Sequence, residues 1–397
     1  MKSSFKDLFE QTSWEDTSVA ISSVTPSMVE RALDRKGTGG LEDFRALVSS
    51  AAVDYLEPMA RLSHELTRQR FGDGVRLFAP MYLSNECQNI CDYCGFSLTN
   101  AVPRKTLSPS EIIAEASVLS KQGFEHVLLV TGEAPRKVNL QYFRDALGAL
   151  RPHFANLSME VQPLEQHEYE SLASEGLHSV LVYQETYHPE SYHSHHPKGK
   201  KSNMMWRLET PDRLGIAGIK KIGIGCLYGL TEDWRTDAFF AALHLDYLER
   251  TYWRSSYSMS FPRMRPHEGD LPPDVNISDR DVVQLLCAYR IFNHELELTL
   301  STRESPMFRD HAFKLGVTTM SAGSRTEPGG YASKDAHETL EQFSISDDRS
   351  PAEIARMLVS AGYEPVWKDW DASYDCHSAK DLETGATLDD QPLELVV

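Results

Sequence analysis

The sequence predicts an α/β protein whose main body is a closed (β/α)8 barrel of the TIM type, with a helical N-terminal extension and a short C-terminal one. Three observations carry this. From residue 76, short β-rich runs bounded by turn residues alternate with amphipathic helical stretches, the pattern of repeated βα units on a parallel sheet. Eight such runs fall within a span of about 250 residues, the size of one such barrel. After Gly329 the alternation stops. The implied division is 1–75 for the extension, 76–329 for the barrel and 330–397 for the C-terminal segment.

Within the extension, residues 27–72 read as helices because apolar positions recur at helical intervals, and Gly72 and Gly74 close the last of them. The strands follow at 76–83, 126–131, 157–161, 179–184, 222–227, 257–261, 296–301 and 317–321. Helices are expected between them at 108–122, 140–150, 164–174, 210–219, 234–250 and 279–293. Ser108 before Pro109 and Glu111, and Thr210 before Pro211 and Asp212, have the chemistry of N-caps. Beyond the barrel lie one helix at 351–361, then Y-E-P-V-W-K-D-W-D, with Trp367 and Trp370 as packing aromatics. A tail from Asp371 with seven acidic residues and one lysine has little to bury.

Composition narrows the function. With 41% hydrophobic residues and no apolar run near the ~20 needed to cross a bilayer, the 397-residue chain reads as soluble and globular. Its N-terminus has no apolar signal core, and six cysteines without an export signal point to the reducing cytoplasm. A net charge of −18 argues against nucleic acid as the main partner. One basic stretch, Lys198 to Lys221, reads either as a solvated face or as a local anion-binding rim.

Chemistry concentrates in C-x3-C-x2-C, formed by Cys87, Cys91 and Cys94. Three thiolates in two short turns suit a cubic 4Fe-4S cluster and leave its fourth iron without a protein ligand. Structural zinc would need a fourth ligand, and residues 80–110 supply neither histidine nor another cysteine. Three clustered cysteines cannot all form disulfides. Cys226, Cys287 and Cys376 read as ordinary thiols. In a parallel barrel, active residues gather at the C-terminal ends of strands. There the chain places T-G-E (Thr131, Gly132, Glu133), Glu160 and Gln162, Q-E-T-Y (184–187), Arg263 and Arg265, and S-T-R-E-S (301–305). The crowded histidines 188, 193, 195 and 196 read as a partly basic lid rather than a second metal site.

C-x3-C-x2-C with Tyr93 before its last cysteine, followed by T-G-E after the second strand, resembles radical S-adenosylmethionine enzymes. The wider chain is similar to the tyrosine lyases of thiamine (thiazole) biosynthesis. The matching segments are P-M-Y-L-S-N-E-C, Y-C-G-F-S, R-K-T-L, G-F-E-H-V-L-L-V-T-G-E, M-E-V-Q-P-L, V-Y-Q-E-T-Y-H, K-G-K-K, W-R-L-E-T-P-D-R-L-G, S-F-P-R-M-R-P, S-T-R-E-S-P, E-P-G-G-Y and P-V-W-K-D-W-D, covering about residues 50–371.

This resemblance implies a radical S-adenosylmethionine barrel with one 4Fe-4S cluster on Cys87, Cys91 and Cys94. It implies a 5'-deoxyadenosyl radical that drives cleavage of the Cα–Cβ bond of L-tyrosine to 2-iminoacetate (dehydroglycine) and 4-cresol. Carried over by position, Thr131, Gly132 and Glu133 meet the methionyl amine, Tyr93 lies near adenine, and Glu160, Glu185 and Arg207 serve the ribose and carboxylate. Arg303 is the expected anchor for the tyrosine carboxylate, since a guanidinium offers a bidentate fork. Its competing reading is an ion pair with Glu304 or another loop acid. Ser301 and Ser305 are expected to assist it, and Tyr187 and His188 to lie on the substrate side. The resemblance also implies a thiazole synthase partner, a flavodoxin- or ferredoxin-type electron donor, and no membrane. A hydrogenase-maturation tyrosine lyase shares the first half of the reaction but carries a second cluster on a cysteine-rich extension, whereas only Cys376 lies beyond residue 330 here. A non-catalytic iron-sulfur protein would need neither T-G-E nor Arg303.

Overall fold

The computed structural model describes residues 4–264, 274–332 and 341–369. Arg265, Trp370, Cys376 and the acidic tail lie outside the described residues. Eight strands build the barrel: β1 Gly74–Ser84, β2 His126–Thr131, β3 Asn156–Glu160, β4 Leu177–Leu181, β5 Lys221–Gly225, β6 Ser256–Ser260, β7 Glu297–Leu300 and β8 Thr319–Ser321. Each pairs in parallel with the next, and β1 pairs with both β8 and β2, closing the ring. Every expected strand is present, its ends moved by no more than three residues.

The helix Pro109–Lys121 starts where expected, with Ser108 accepting from the Glu111 N–H in a capping box and Pro109 in its first turn. Thr210 is not a cap. The short helix Met204–Leu208 runs almost directly into Thr210–Ile216, so Glu209 takes the cap position and the Thr210 hydroxyl donates back to the Trp206 carbonyl at 3.1 Å. The segment Y-E-P-V-W forms a ninth strand, β9 Glu364–Val366, which pairs in parallel with β1 at Gly74–Arg76. Arg76 is opposite both Thr319 of β8 and Val366 of β9. These partners therefore sit on opposite edges of β1, and β9 takes the stretch that β2, beginning at Ala79, leaves open. Trp367 then packs edge-on against Phe124 at 5.4 Å, the structural role expected of it.

Of the N-terminal helices, Pro26–Asp34, Leu41–Val48 and Leu56–Phe71 match the sequence reading, and Gly72 ends the last at φ 63°. Two further helices, Phe5–Gln11 and Trp14–Ser22, were not expected. They pack on the barrel helix Trp234–Thr251, which is consequently buried on almost every side. Phe5 is fully buried and its ring stacks on His244 at 3.6 Å.

The N-terminal mouth of the barrel is closed by paired charges. Lys221 Nζ lies 2.9 Å from the Glu297 carboxylate, and Arg76 pairs with both Glu297 and Asp369. Burial alone would raise the Glu297 pKa, but Arg76 and Lys221 outweigh it and hold the group at about 2. Function is thereby left to the opposite end.

Candidate active site

At the C-terminal rim, β1 releases the chain into the cysteine loop. Arg104 of R-K-T-L shapes this loop by donating to the carbonyls of Asn85, Phe96, Ser97 and Asn100 at 2.7–3.2 Å. Cys87, Cys91 and Cys94 are free thiols. Gly132 backs the loop: a Cβ there would sit 2.4 Å from the Glu86 carbonyl oxygen and 3.1 Å from Cys87 Cβ. Burial pushes all three thiols up, and Cys94 adds to the cost of ionising Cys87 and Cys91. Such a set stays protonated until bound metal charge stabilises the thiolates.

The donor set fits an iron-sulfur cluster better than a single ion. Among the described residues no three Cys, His, Asp or Glu side chains converge on one point, whereas a cubic cluster places each cysteine on a different iron. Two of the crowded histidines, His195 and His196, hold the cysteine loop. His196 Nδ1 donates to the Tyr192 carbonyl at 2.6 Å, which leaves Nε2 to accept the Tyr93 hydroxyl at 2.7 Å. His195 donates through one nitrogen to Asp92 and through the other to the Leu230 carbonyl. Burial opposes its charge, yet the Asp92 bond prevails and raises its pKa.

Beside the cysteines lies a network of four charges. Glu133 accepts from Asn89 at 2.8 Å and from Arg207 at 3.0 Å; Glu185 accepts from Lys201 at 2.7 Å and faces Arg207 at 3.5 Å. Glu185 is held at φ 73°, one of two positive-φ non-glycine residues described. Such backbone strain persists where the surroundings over-determine it. Here β4's continuation bonds to Leu227 N–H while the side chain is drawn to Lys201. Thr131 Oγ1 is buried with no hydrogen-bond partner among the described residues. That orphaned hydroxyl, next to Glu133, suits the polar end of S-adenosylmethionine.

A cavity runs down the barrel from this network, with Tyr82, Tyr93, Cys94, Glu160, Glu185 and Arg303 on its wall. Burial, reinforced by Glu185, pushes Glu160 up to about 7. Across the cavity, the Arg303 guanidinium stacks on the Phe343 ring at 3.4 Å and makes no ion pair among the described residues. Glu304 does not neutralise it, because Arg263 takes that carboxylate through bonds of 2.5–3.1 Å.

Four expectations are corrected. Tyr187 points away from the cavity into the packing beneath the N-terminal helices, its hydroxyl 2.9 Å from His244 Nδ1 and its ring against Phe5. Parallel pairing persists as far as Glu185, which bridges Cys226; there the backbone takes φ 73°, and the Tyr187 N–H then donates to Asp237. His188 likewise caps Pro189–His195 and packs on Trp14. Ser305 caps the helix Pro306–Ala312 by accepting from Phe308 N–H at 3.2 Å, whereas Ser301 does face the cavity. The basic stretch is neither one solvated face nor one rim: Lys201 and Arg207 belong to the rim network, Arg213 stacks on Trp206, and Lys221 belongs to the plug at the other end.

A parallel barrel carrying three unpaired thiols on the loop after its first strand, beside an unsatisfied polar pocket, defines a radical S-adenosylmethionine enzyme. Residues 81–241 match the Radical SAM superfamily, and residues 260–364 match the Biotin and Thiamin Synthesis associated domain. The chain is 51% identical to the 2-iminoacetate synthase of Escherichia coli (strain K12) over 93% of its own length and 97% of that protein, and it belongs to the 2-iminoacetate synthase family. Among solved structures, it resembles HydG, a maturase of the [FeFe]-hydrogenase, with TM-score 0.84 at 28% identity over 89% of this chain and 79% of that one. HydG from Carboxydothermus hydrogenoformans gives 0.81 at 31% identity over 87% and 80%. The hydrogenase-maturation alternative is thus the weaker relationship.

Proposed function

We propose that the protein cleaves the Cα–Cβ bond of L-tyrosine to yield 2-iminoacetate and 4-cresol, supplying the thiazole part of thiamine. One observation carries this reading. A guanidinium that makes no ion pair among the described residues, Arg303, shares a single cavity with the cysteine loop. When bound, the 4Fe-4S cluster and S-adenosylmethionine supply a 5'-deoxyadenosyl radical.

The chain's own residues bind and orient. Cys87, Cys91 and Cys94 hold the cluster. Thr131, Gly132 and Glu133 receive the methionyl amine, Tyr93 flanks the adenine, and Glu160, Glu185 and Arg207 serve the ribose and carboxylate. Arg303 anchors the tyrosine carboxylate, so that the substrate amine is presented toward the cysteine end; such fixed presentation is what positioning contributes to catalysis. The apolar walls, Tyr82 and Leu181 among them, exclude water from a reactive site. The reading places the enzyme in the cytoplasm, beside a thiazole synthase that consumes the unstable imine and a flavodoxin- or ferredoxin-type electron donor. Among the described residues no helix is long and apolar enough to cross a membrane.

The test is direct. Anaerobically reconstituted protein with reductant, S-adenosylmethionine and tyrosine is expected to form 4-cresol and 5'-deoxyadenosine. Abundant 5'-deoxyadenosine without cresol refutes the substrate, and a Cys91→Ala variant that still cleaves S-adenosylmethionine refutes the cluster assignment.

A further inference from the structure

Gln342 lies in E-Q-F-S, a strap that returns from beyond the barrel to the cysteine loop. Its main chain is tied on both sides: its N–H donates to the Thr326 carbonyl at 3.1 Å, and its carbonyl accepts from Gly95 N–H at 3.0 Å. Gly95 directly follows Cys94. A Cβ at Gly95 would lie 2.5 Å from the Glu341 carbonyl oxygen and 2.8 Å from that of Gln342, so only glycine lets the strap lie this close.

The Gln342 side chain then spans two partners. Its Oε1 accepts the Tyr82 hydroxyl at 2.7 Å, and its Nε2 lies 3.8 Å from Cys94 Sγ. Chemistry decides which way the amide points. A metal-bound thiolate offers only lone pairs, so the N–H end must face it, and the Tyr82 hydroxyl supplies the proton that the carbonyl end needs. The surroundings are apolar: Tyr82 packs edge-on against Phe96 at 5.9 Å, in a small buried group that Cys87 and Cys94 adjoin.

We infer that Gln342 is a positioning residue for the cluster, donating its amide N–H to the Cys94 thiolate and thereby raising the cluster's reduction potential, with Tyr82 locking the amide in place. The inference rests on the reading of Cys94 as a cluster ligand. Reduction makes the ligand sulfur more electron-rich, so a fixed donor stabilises the reduced form more than the oxidised one. At low local dielectric such a donor acts on the sulfur more strongly than it would in water. Gln342 thus eases the one-electron reduction through its bond to Cys94.

An EPR-monitored redox titration of the full-length reconstituted protein, without tyrosine or S-adenosylmethionine, tests this. Gln342→Met keeps the length of the side chain and removes the N–H. At a fixed poise its ratio of reduced to oxidised cluster is expected to be about tenfold lower than in the parent protein, a midpoint lower by about 59 mV for one electron. Tyr82→Phe leaves Gln342 in place but frees its amide, and is expected to shift the midpoint in the same direction by less. An unchanged midpoint in Gln342→Met overturns the inference. Should that variant fail to retain iron, Tyr82→Phe decides: a lowered midpoint supports the inference, and an unchanged one overturns it. A parent protein that binds no iron overturns the cluster reading itself, and is seen before either variant is measured.

Discussion

Replacing Arg303 tests the substrate anchor most sharply. Among the described residues it forms no ion pair; it lies flat on Phe343 at 3.4 Å, leaving its N–H edge free for a ligand. Hydrogen bonds to charged groups are worth about 1.5–3 kcal/mol each, so losing a two-pronged carboxylate contact costs about 3–6 kcal/mol. Arg303→Met is therefore expected to lower kcat/KM for 4-cresol formation by roughly 10²–10⁴. Arg303→Lys, which keeps the charge but not the fork, should lose roughly 10- to 100-fold. Stability should move the other way or not at all, since burial disfavours the Arg303 charge and lowers its pKa. The assay is initial-rate cresol formation against tyrosine concentration, alongside thermal unfolding. A methionine variant with kcat/KM within threefold of the parent would refute the anchor, and one that melts far lower would show Arg303 to be structural.

Three further outcomes follow from the geometry. Asp237 is buried and accepts from Tyr187 N–H at 2.6 Å, and burial pushes its carboxyl up to about 7. Its raised pKa contributes stability that is full below the unfolded value near 4 and is lost as pH rises to about 7. Asp237→Asn should flatten that slope in urea titrations and gain on the order of a few kcal/mol at pH 8; an unchanged pH dependence would refute it. Phe5→Ala should cost about 3–5 kcal/mol in urea unfolding, as for other fully buried aromatics, while leaving the activity of the folded fraction intact. Gly132→Ala should lower iron loading with little change in far-UV circular dichroism, because its methyl would collide with the Glu86 carbonyl behind the cysteine loop; full iron content would contradict this.

How much of this was legible in the sequence depends on chain distance. The strands were readable because each is a local β-rich run, and Cys87, Cys91, Cys94 and T-G-E because they follow strand ends directly. Tyr82 and Tyr183 were missed although a signal existed: Phe78, Pro80 and Tyr82, like Leu181, Tyr183 and Glu185, alternate at period two, and all six line the cavity. Tyr187, next in that alternation, departs from it because the backbone at Glu185 takes φ 73° and the Tyr187 N–H is then held by Asp237. No local pattern marks Gln342 or Phe343. They reach the site through pairing of the strap with Thr326 and Gly95, hundreds of residues away in the latter case, and only the assembled fold brings them there.

Charge shows why the barrel's two ends differ although both bury cations. At the closed end Arg76 and Lys221 share Glu297, and Asp369 completes the set; desolvation of each charge is offset by an adjacent opposite one. Substituting a single member there should destabilise the fold, because it strands a buried charge. At the open end Glu133, Glu185, Lys201 and Arg207 offset one another in the same way, yet Arg303 stands outside their pairing and Glu160 is pushed toward neutrality. On the proposed reading, a carboxylate bound at Arg303 would supply the opposite charge that Glu160, itself pushed toward neutrality, gives only in part, and would turn the other end of that molecule toward the cysteine loop.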